Sequence, residues 1–183
     1  MIHKVIAIPR RQVEHWLDKK ESPGEYTWAL ISIYGDGPEL MSFQNIEILK
    51  TLGCPKVLSS RFHDITDENK WKMEKVYRNL TLFDDVKARL IINFLDEIKD
   101  EVDVLFVHCA AGVSRSGAVG LFATRYLGLD EIEFRKWSPH ILPNFFVLSL
   151  LNKESGIHDG YVEYWQSELN KQKREKLDNI FGP

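Results

Sequence analysis

Val104–Ser116 reads VLFVHCAAGVSRS, and the stretch changes character twice along its length. Val104, Leu105, Phe106 and Val107, with Val102 and a single Asp103 before them, make a short apolar, β-branched run of the kind that fits a strand covered on both faces. Small residues follow from Ala110 to Ser114, with Gly112 where a positive φ or a close backbone approach is tolerated. Residues 116–127, SGAVGLFATRYL, then read as a largely apolar helix passing through the core, with Gly128 as its stop signal. A buried strand that runs through a tight loop into a buried helix is a unit of the α/β class. In that class ligands sit beyond the carboxyl ends of the strands, where this loop falls.

The loop holds Cys109 and Arg115 in the spacing C-x5-R, preceded by His108 and followed by Ser116. With side chains this small, the backbone N–H groups of Ala110, Ala111, Gly112, Val113 and Ser114 can turn inward as an anion-binding nest, and the following helix adds its positive end. Arg115 can grip two oxygens of a phosphate with its guanidinium. The same positive field favours Cys109 as a thiolate, the nucleophilic form. Ser116 is placed to donate a hydrogen bond to the sulfur or to help a later water step. His108 braces the loop. A lone C-x5-R is common, but the full string H-C-x-x-G-x-S-R-S between a strand and a helix is specific.

Composition sets bounds. The chain has 183 residues, 44% hydrophobic and 28% charged, with a net charge of -3. That suits one soluble domain with a substantial core and gives no sign of nucleic-acid binding. Cys54 and Cys109 alone cannot build a disulfide framework or a CxxC metal site. No run approaches membrane-spanning length, and a reduced, cytoplasmic setting is expected.

Working outward, residues 4–8 read as a strand stopped by Pro9, and 10–19 as a short helix burying Val13, Trp16 and Leu17. Residues 26–34 read as a strand, 42–52 as a helix with Phe43, Ile46, Ile48 and Leu49 at helical spacing, and 56–62 as a third strand. Residues 68–80 read as a short helix or a long ordered loop. Thr81 looks like the cap of a helix over 82–99, with Asp84 and Asp85 in its first turn and an apolar stripe of Val86, Leu90, Ile91, Phe94, Leu95 and Ile98. After the central unit, helices are expected over 129–137, 143–151 and 161–177. The alternation gives a central, mostly parallel sheet flanked by helices.

HCAAGVSRS resembles the signature loop of the cysteine-dependent protein tyrosine phosphatase superfamily, in its dual-specificity-like branch. The resemblance implies that fold over residues 1–183 as a single phosphatase domain. It implies a metal-independent hydrolysis without cofactor: Cys109 attacks phosphorus, and water then releases the cysteinyl-phosphate. Arg115 and the loop amides bind the phosphoryl oxygens. Substrates would be phosphorylated proteins or other phosphomonoesters. Pro143 and Asn144 in SPHILPNFFVLSLL are similar to a family Pro-Asn segment, in which Asn144 would hydrogen-bond backbone near the loop; a plain helix cap is the other reading. The family places its general acid after a strand upstream. Asp64, directly after the strand ending in Phe62, fits best, with Asp67 next, while Asp84 and Asp85 suit the helix start. Asp64 lies 45 residues before Cys109, farther than is usual in the eukaryotic branch, and FHDI resembles a segment of small bacterial and phage-type relatives. His63 reads as a surface residue. The loop carries no lysine, which argues against a polyanionic inositol headgroup; Trp71, Lys72 and Tyr77 are candidates to border the site. Rhodanese-type loops lack the Ser-Arg-Ser ending, and arsenate reductases carry their C-x5-R near the N-terminus. The alternative of a different class is a phosphoprotein-binding module of the same fold. Cys54 reads as a small buried residue, with a redox disulfide to Cys109 as the less favoured reading.

Overall fold

The central apolar run forms a strand with neighbours on both sides. In the computed structural model, which describes residues 1–35, 39–66, 80–158 and 160, four parallel strands lie in the order β1-β4-β2-β3. They are β1 (Lys4–Pro9), β2 (Trp28–Tyr34), β3 (Lys56–Arg61) and β4 (Val104–Cys109). All six residues of β4 are buried, as a strand covered on both faces requires. The six helices among the described residues are α1 (Arg10–Lys19), α2 (Phe43–Thr51), α3 (Asp85–Ile98), α4 (Arg115–Tyr126), α5 (Glu131–Trp137) and α6 (Phe145–Ser155).

Alternate strand residues feed two cores. Val5, Ala7, Ala29, Ile31, Ile33, Leu105 and Val107 face α3, α4, α5 and α6. Ile8, Leu30, Val104 and Phe106 face α1 and α2. There Trp16, Trp28 and Phe106 meet edge to face, with ring centroids 5.0–5.5 Å apart, a favoured aromatic geometry. Helix α4 is buried from Arg115 through Thr124, so it fixes the loop before it as firmly as β4 does. Among the described residues no helix is long and apolar enough to cross a membrane.

Several expectations need correction. The second strand starts at Trp28, not at Tyr26. The cap of α3 is Asp84, which accepts from the Lys87 N–H, not Thr81. Val86 and Leu90 are 55% and 52% exposed. They sit roughly 100–140° around the helix from Ile91, at about 100° per residue, outside the face carried by Ala88, Ile91, Phe94, Leu95 and Ile98. Phe43 opens α2 but is 81% exposed, and Leu49 is the buried residue of that helix. The buried helix after Pro143 begins at Phe145 and runs on to Ser155, where Gly156 ends it at φ 72°. Asp67, the segment 68–79 and the helix expected over 161–177 lie outside the described residues.

Candidate active site

The loop after β4 is held from behind, so that its amides face forward. The Ala110 carbonyl accepts from the Arg10 N–H (3.3 Å), the Val113 carbonyl from the Leu142 N–H (3.2 Å), and the Ser114 carbonyl from the N–H groups of Asn144 (3.1 Å) and Ala118 (2.9 Å). Among the described residues no backbone carbonyl takes the N–H groups of Ala110 to Ser114. Carbonyls outside and free amides inside make the concavity that suits an anion. Gly112 has φ 76°. A Cβ there would stand 2.5 Å from the backbone of Ile8 and Pro9, so the end of β1 is the back wall of the loop and only glycine fits against it.

Cys109 ends β4 with 2% of its surface exposed. Its Sγ lies 3.2 Å from Ser116 Oγ in the first turn of α4. Arg115 is 8% exposed. Its Nη1 donates to the Phe62 carbonyl at 2.9 Å, while its Nε is buried with no hydrogen-bond partner. A buried cationic N–H without a hydrogen-bond acceptor asks for one. Gly35 passes close by: a Cβ there would be 3.1 Å from Arg115 Nη1.

Asp64 comes to the same place from beyond β3. Its Oδ1 accepts from Ser114 Oγ (2.7 Å) and from Asn144 Nδ2 (2.8 Å). Its Oδ2 is 3.9 Å from Arg115 Nε. Asn144 Nδ2 also donates to the Ile65 carbonyl (3.0 Å), and its Oδ1 accepts from the Val147 N–H (3.2 Å) at the start of α6. The side chain of Asn144 is therefore the cap of α6 at one end and a tie to the segment after β3 at the other, while the loop is held by its backbone N–H.

His108 is buried, with Nε2 2.8 Å from the equally buried Ser32 Oγ. Burial holds its pKa down at about 4, so the imidazole is neutral near pH 7 and adds no charge to the loop. His63 is not the surface residue expected: it is 5% exposed, its N–H donates to the Thr81 carbonyl (2.9 Å), and its Nδ1 accepts from the Thr81 N–H (2.9 Å). It clamps the segment after β3 to the approach to α3. Cys54 and Cys109 are both free thiols. Cys54 belongs to the core under α1 and α2, Cys109 to the opposite one. The sheet register puts them about six strand residues apart, on the order of 20 Å at ~3.3 Å per residue, so no disulfide joins them. Burial pushes the Cys54 thiol up to about 12. Among the described residues no group of three or more His, Cys, Asp or Glu is arranged to hold a metal ion.

The sequence therefore brings Cys109, Ala110–Ser114, Arg115, Ser116, Asp64 and Asn144 to one edge of the sheet. It did not disclose Ser32, the Phe62 carbonyl, or the Ile8–Pro9 wall. Each acts through backbone or through a small side chain in a strand, and none carries a local signal.

No family model matches the chain. Among curated proteins, mouse dual specificity protein phosphatase 1 is 39% identical over 93 residues, covering 44% of this chain and 25% of that one. The human protein of that name is 38% identical over 93 residues. Dual specificity protein phosphatase 1-A of Xenopus laevis is 32% identical over 123 residues, covering 61% of this chain and 32% of that one. Over these residues the chain is similar to dual specificity protein phosphatases. The chain spans between a quarter and a third of the length of the curated relatives it matches. Among solved structures, the crystal structure of Tk-PTP in the active form superposes with a TM-score of 0.49 at 18% identity, covering 82% of this chain and 90% of that one.

Proposed function

We propose that the chain is a phosphomonoester hydrolase, a protein tyrosine or dual-specificity phosphatase, formed by residues 1–183 as one domain and working in the cytoplasm on phosphorylated proteins without metal or cofactor. The observation that carries this reading is the convergence of Cys109, the unclaimed loop amides, the unpartnered Arg115 Nε and Asp64 on one cradle. The amides and Arg115 take the three non-bridging phosphoryl oxygens. Cys109 Sγ attacks phosphorus as the bond to the leaving oxygen breaks. Asp64 Oδ1 is occupied by two donors, so the proton for the leaving oxygen travels on Oδ2. Asp64, now a carboxylate, takes a proton from water, which attacks phosphorus and releases phosphate. The sulfur leaves as thiolate, with Ser116 Oγ–H to receive it.

The test is hydrolysis of aryl phosphates under reducing conditions without added metal. Cys109→Ser abolishes turnover and keeps vanadate binding. Asp64→Ala slows a poor leaving group such as phenol by about 10²–10⁴-fold, the usual range for a general acid, and slows nitrophenol far less. A native chain that binds vanadate and hydrolyses nothing would make it a phosphate-binding module instead.

A further inference from the structure

Ser114 stands at the N-terminus of α4 and does not cap it. A serine in that place ordinarily takes extended backbone, and its side chain accepts from an N–H of the first turn. Ser42 does this for α2 (φ -64°, ψ 159°), accepting from the Asn45 N–H at 3.2 Å. Asp84, Asp130 and Asn144 do the same for α3, α5 and α6. Ser114 has helical backbone instead (φ -89°, ψ -71°) and makes no cap bond with its side chain. Its Oγ–H donates away from the helix, to Asp64 Oδ1 at 2.7 Å, across 50 positions of sequence. The N–H of Ser114 is one of the loop amides, and its carbonyl holds the N–H groups of Ala118 and Asn144. The hydroxyl is thus the one polar group of this residue that neither the loop nor the helix uses.

We infer that Ser114 is a positioning residue for the acid: its hydroxyl fixes the rotation of the Asp64 carboxyl so that Oδ2 carries the proton to the leaving oxygen. The inference rests on the proposed phosphatase site and adds how its two halves are joined. A carboxyl free to turn about Cβ–Cγ offers either oxygen. Here Ser114 Oγ–H and Asn144 Nδ2–H both point at Oδ1, and a proton on that oxygen would face two donors. Oδ2 is turned toward Arg115, 3.9 Å from Nε. Oδ1 can accept from Ser114 whether Asp64 is a carboxylic acid or a carboxylate, so the tie serves both steps of the reaction. Asn144 reaches Asp64 from α6, whereas Ser114 reaches it from the loop itself. The residue that lends an amide to the phosphate therefore also sets the place of the acid.

The test is the ratio of phenyl phosphate to nitrophenyl phosphate turnover, because the poor leaving group is the one that needs the acid. It is measured for the native chain, Ser114→Ala, Ser114→Thr, Ser42→Ala, Asp64→Ala, and Asp64→Ala combined with Ser114→Ala, with vanadate titrations and thermal melts alongside. Ser114→Ala is expected to lower the ratio about tenfold, less than a full misplacement costs, because Asn144 still holds Oδ1. Ser114→Thr keeps the hydroxyl and brings the ratio back to within about threefold. With Asp64→Ala already in place, Ser114→Ala lowers the ratio no further. Ser42→Ala, which loses a cap, lowers Tm by about 2–4 °C without moving the ratio, and Ser114→Ala lowers Tm by less. A ratio unchanged in Ser114→Ala, or lowered as far in the Asp64→Ala background, overturns the inference, while a fall in Asp64→Ala itself keeps the catalytic reading. Equal losses on both substrates and on vanadate in Ser114→Ala put the hydroxyl in the service of the cradle alone and also overturn it. If Asp64→Ala does not lower the ratio, or the native chain turns nothing over, the acid reading and the inference fall together.

Discussion

Replacing Asn144 by alanine removes three hydrogen bonds that reach two parts of the molecule. Loss of the bond from the Val147 N–H to Oδ1 uncaps α6, a change that costs about 1 kcal/mol. Loss of Nδ2 leaves the Ile65 carbonyl without its donor in a residue 4% exposed, worth about 1–3 kcal/mol. Asp64 also loses a donor, but its side chain is 40% exposed and water replaces much of that bond. The sum is about 2–4 kcal/mol, or a fall in Tm of roughly 5–15 °C for a chain of this size. Asn144→Ser keeps a capping oxygen and is too short to hold Asp64, so it should recover about 1 kcal/mol relative to alanine. Urea unfolding of the three proteins measures the stability part. The chemical part is read from leaving groups: an acid released from its tether loses about 10–100-fold on phenyl phosphate, as small misplacements of catalytic groups do, and little on nitrophenyl phosphate, in both variants alike. Native stability with full phenyl phosphate turnover in Asn144→Ser would refute the idea that this side chain positions Asp64.

Further outcomes follow from the same geometry. Gly112→Ala should weaken vanadate binding more than tenfold because its Cβ meets the backbone of Ile8 and Pro9, whereas Gly128→Ala, at φ 69° with open space around it, should cost only the left-handed penalty of about 1–2 kcal/mol; titrations and thermal melts separate the two. His108 has its pKa lowered from 6.5 to about 4, so between these values the unfolded chain binds the proton that the folded chain refuses. Stability should therefore fall by about 3 kcal/mol as pH drops through that window, and His108→Gln should lack this slope in urea melts taken from pH 7 to 4. Cys54, raised to about 12 by burial, should stay unalkylated by iodoacetamide at pH 9 in the folded chain and react once urea unfolds it, as peptide mass mapping would show.

What the sequence disclosed of this site is what lies close together in it. Cys109 to Ser116 form one strand–loop–helix unit, and the chemistry of that unit is written in eight consecutive residues. Asp64 was reachable because a residue just past a parallel strand must fall on the same sheet edge. The burial of His63 comes from pairing with Thr81, a contact across 18 positions of sequence that leaves no periodic trace. Val86 and Leu90 were misread because helical spacing marks a face and says nothing of how wide a neighbour will cover it. Thr81 lost its capping role to Asp84 because the true helix start depends on where the chain arrives from His63. Ser32 gave no warning at all, since a small polar residue in an apolar strand declares itself only when its partner across the sheet is known.

The strand order has a consequence for how the protein is made. β2 and β3 are joined by one short helical crossover and can pair as soon as both are synthesised. β1, at the sheet edge, has β4 as its strand partner, with Lys4 beside Val104. At about 5–20 residues per second of translation, the first strand waits some 5–20 s for the segment that will bind it. Only when β4 inserts between β1 and β2 does the Ile8–Pro9 backbone arrive behind Gly112. A nascent chain therefore carries the back wall of its cradle long before it carries its cysteine, and anion binding should switch on abruptly once β4 has docked.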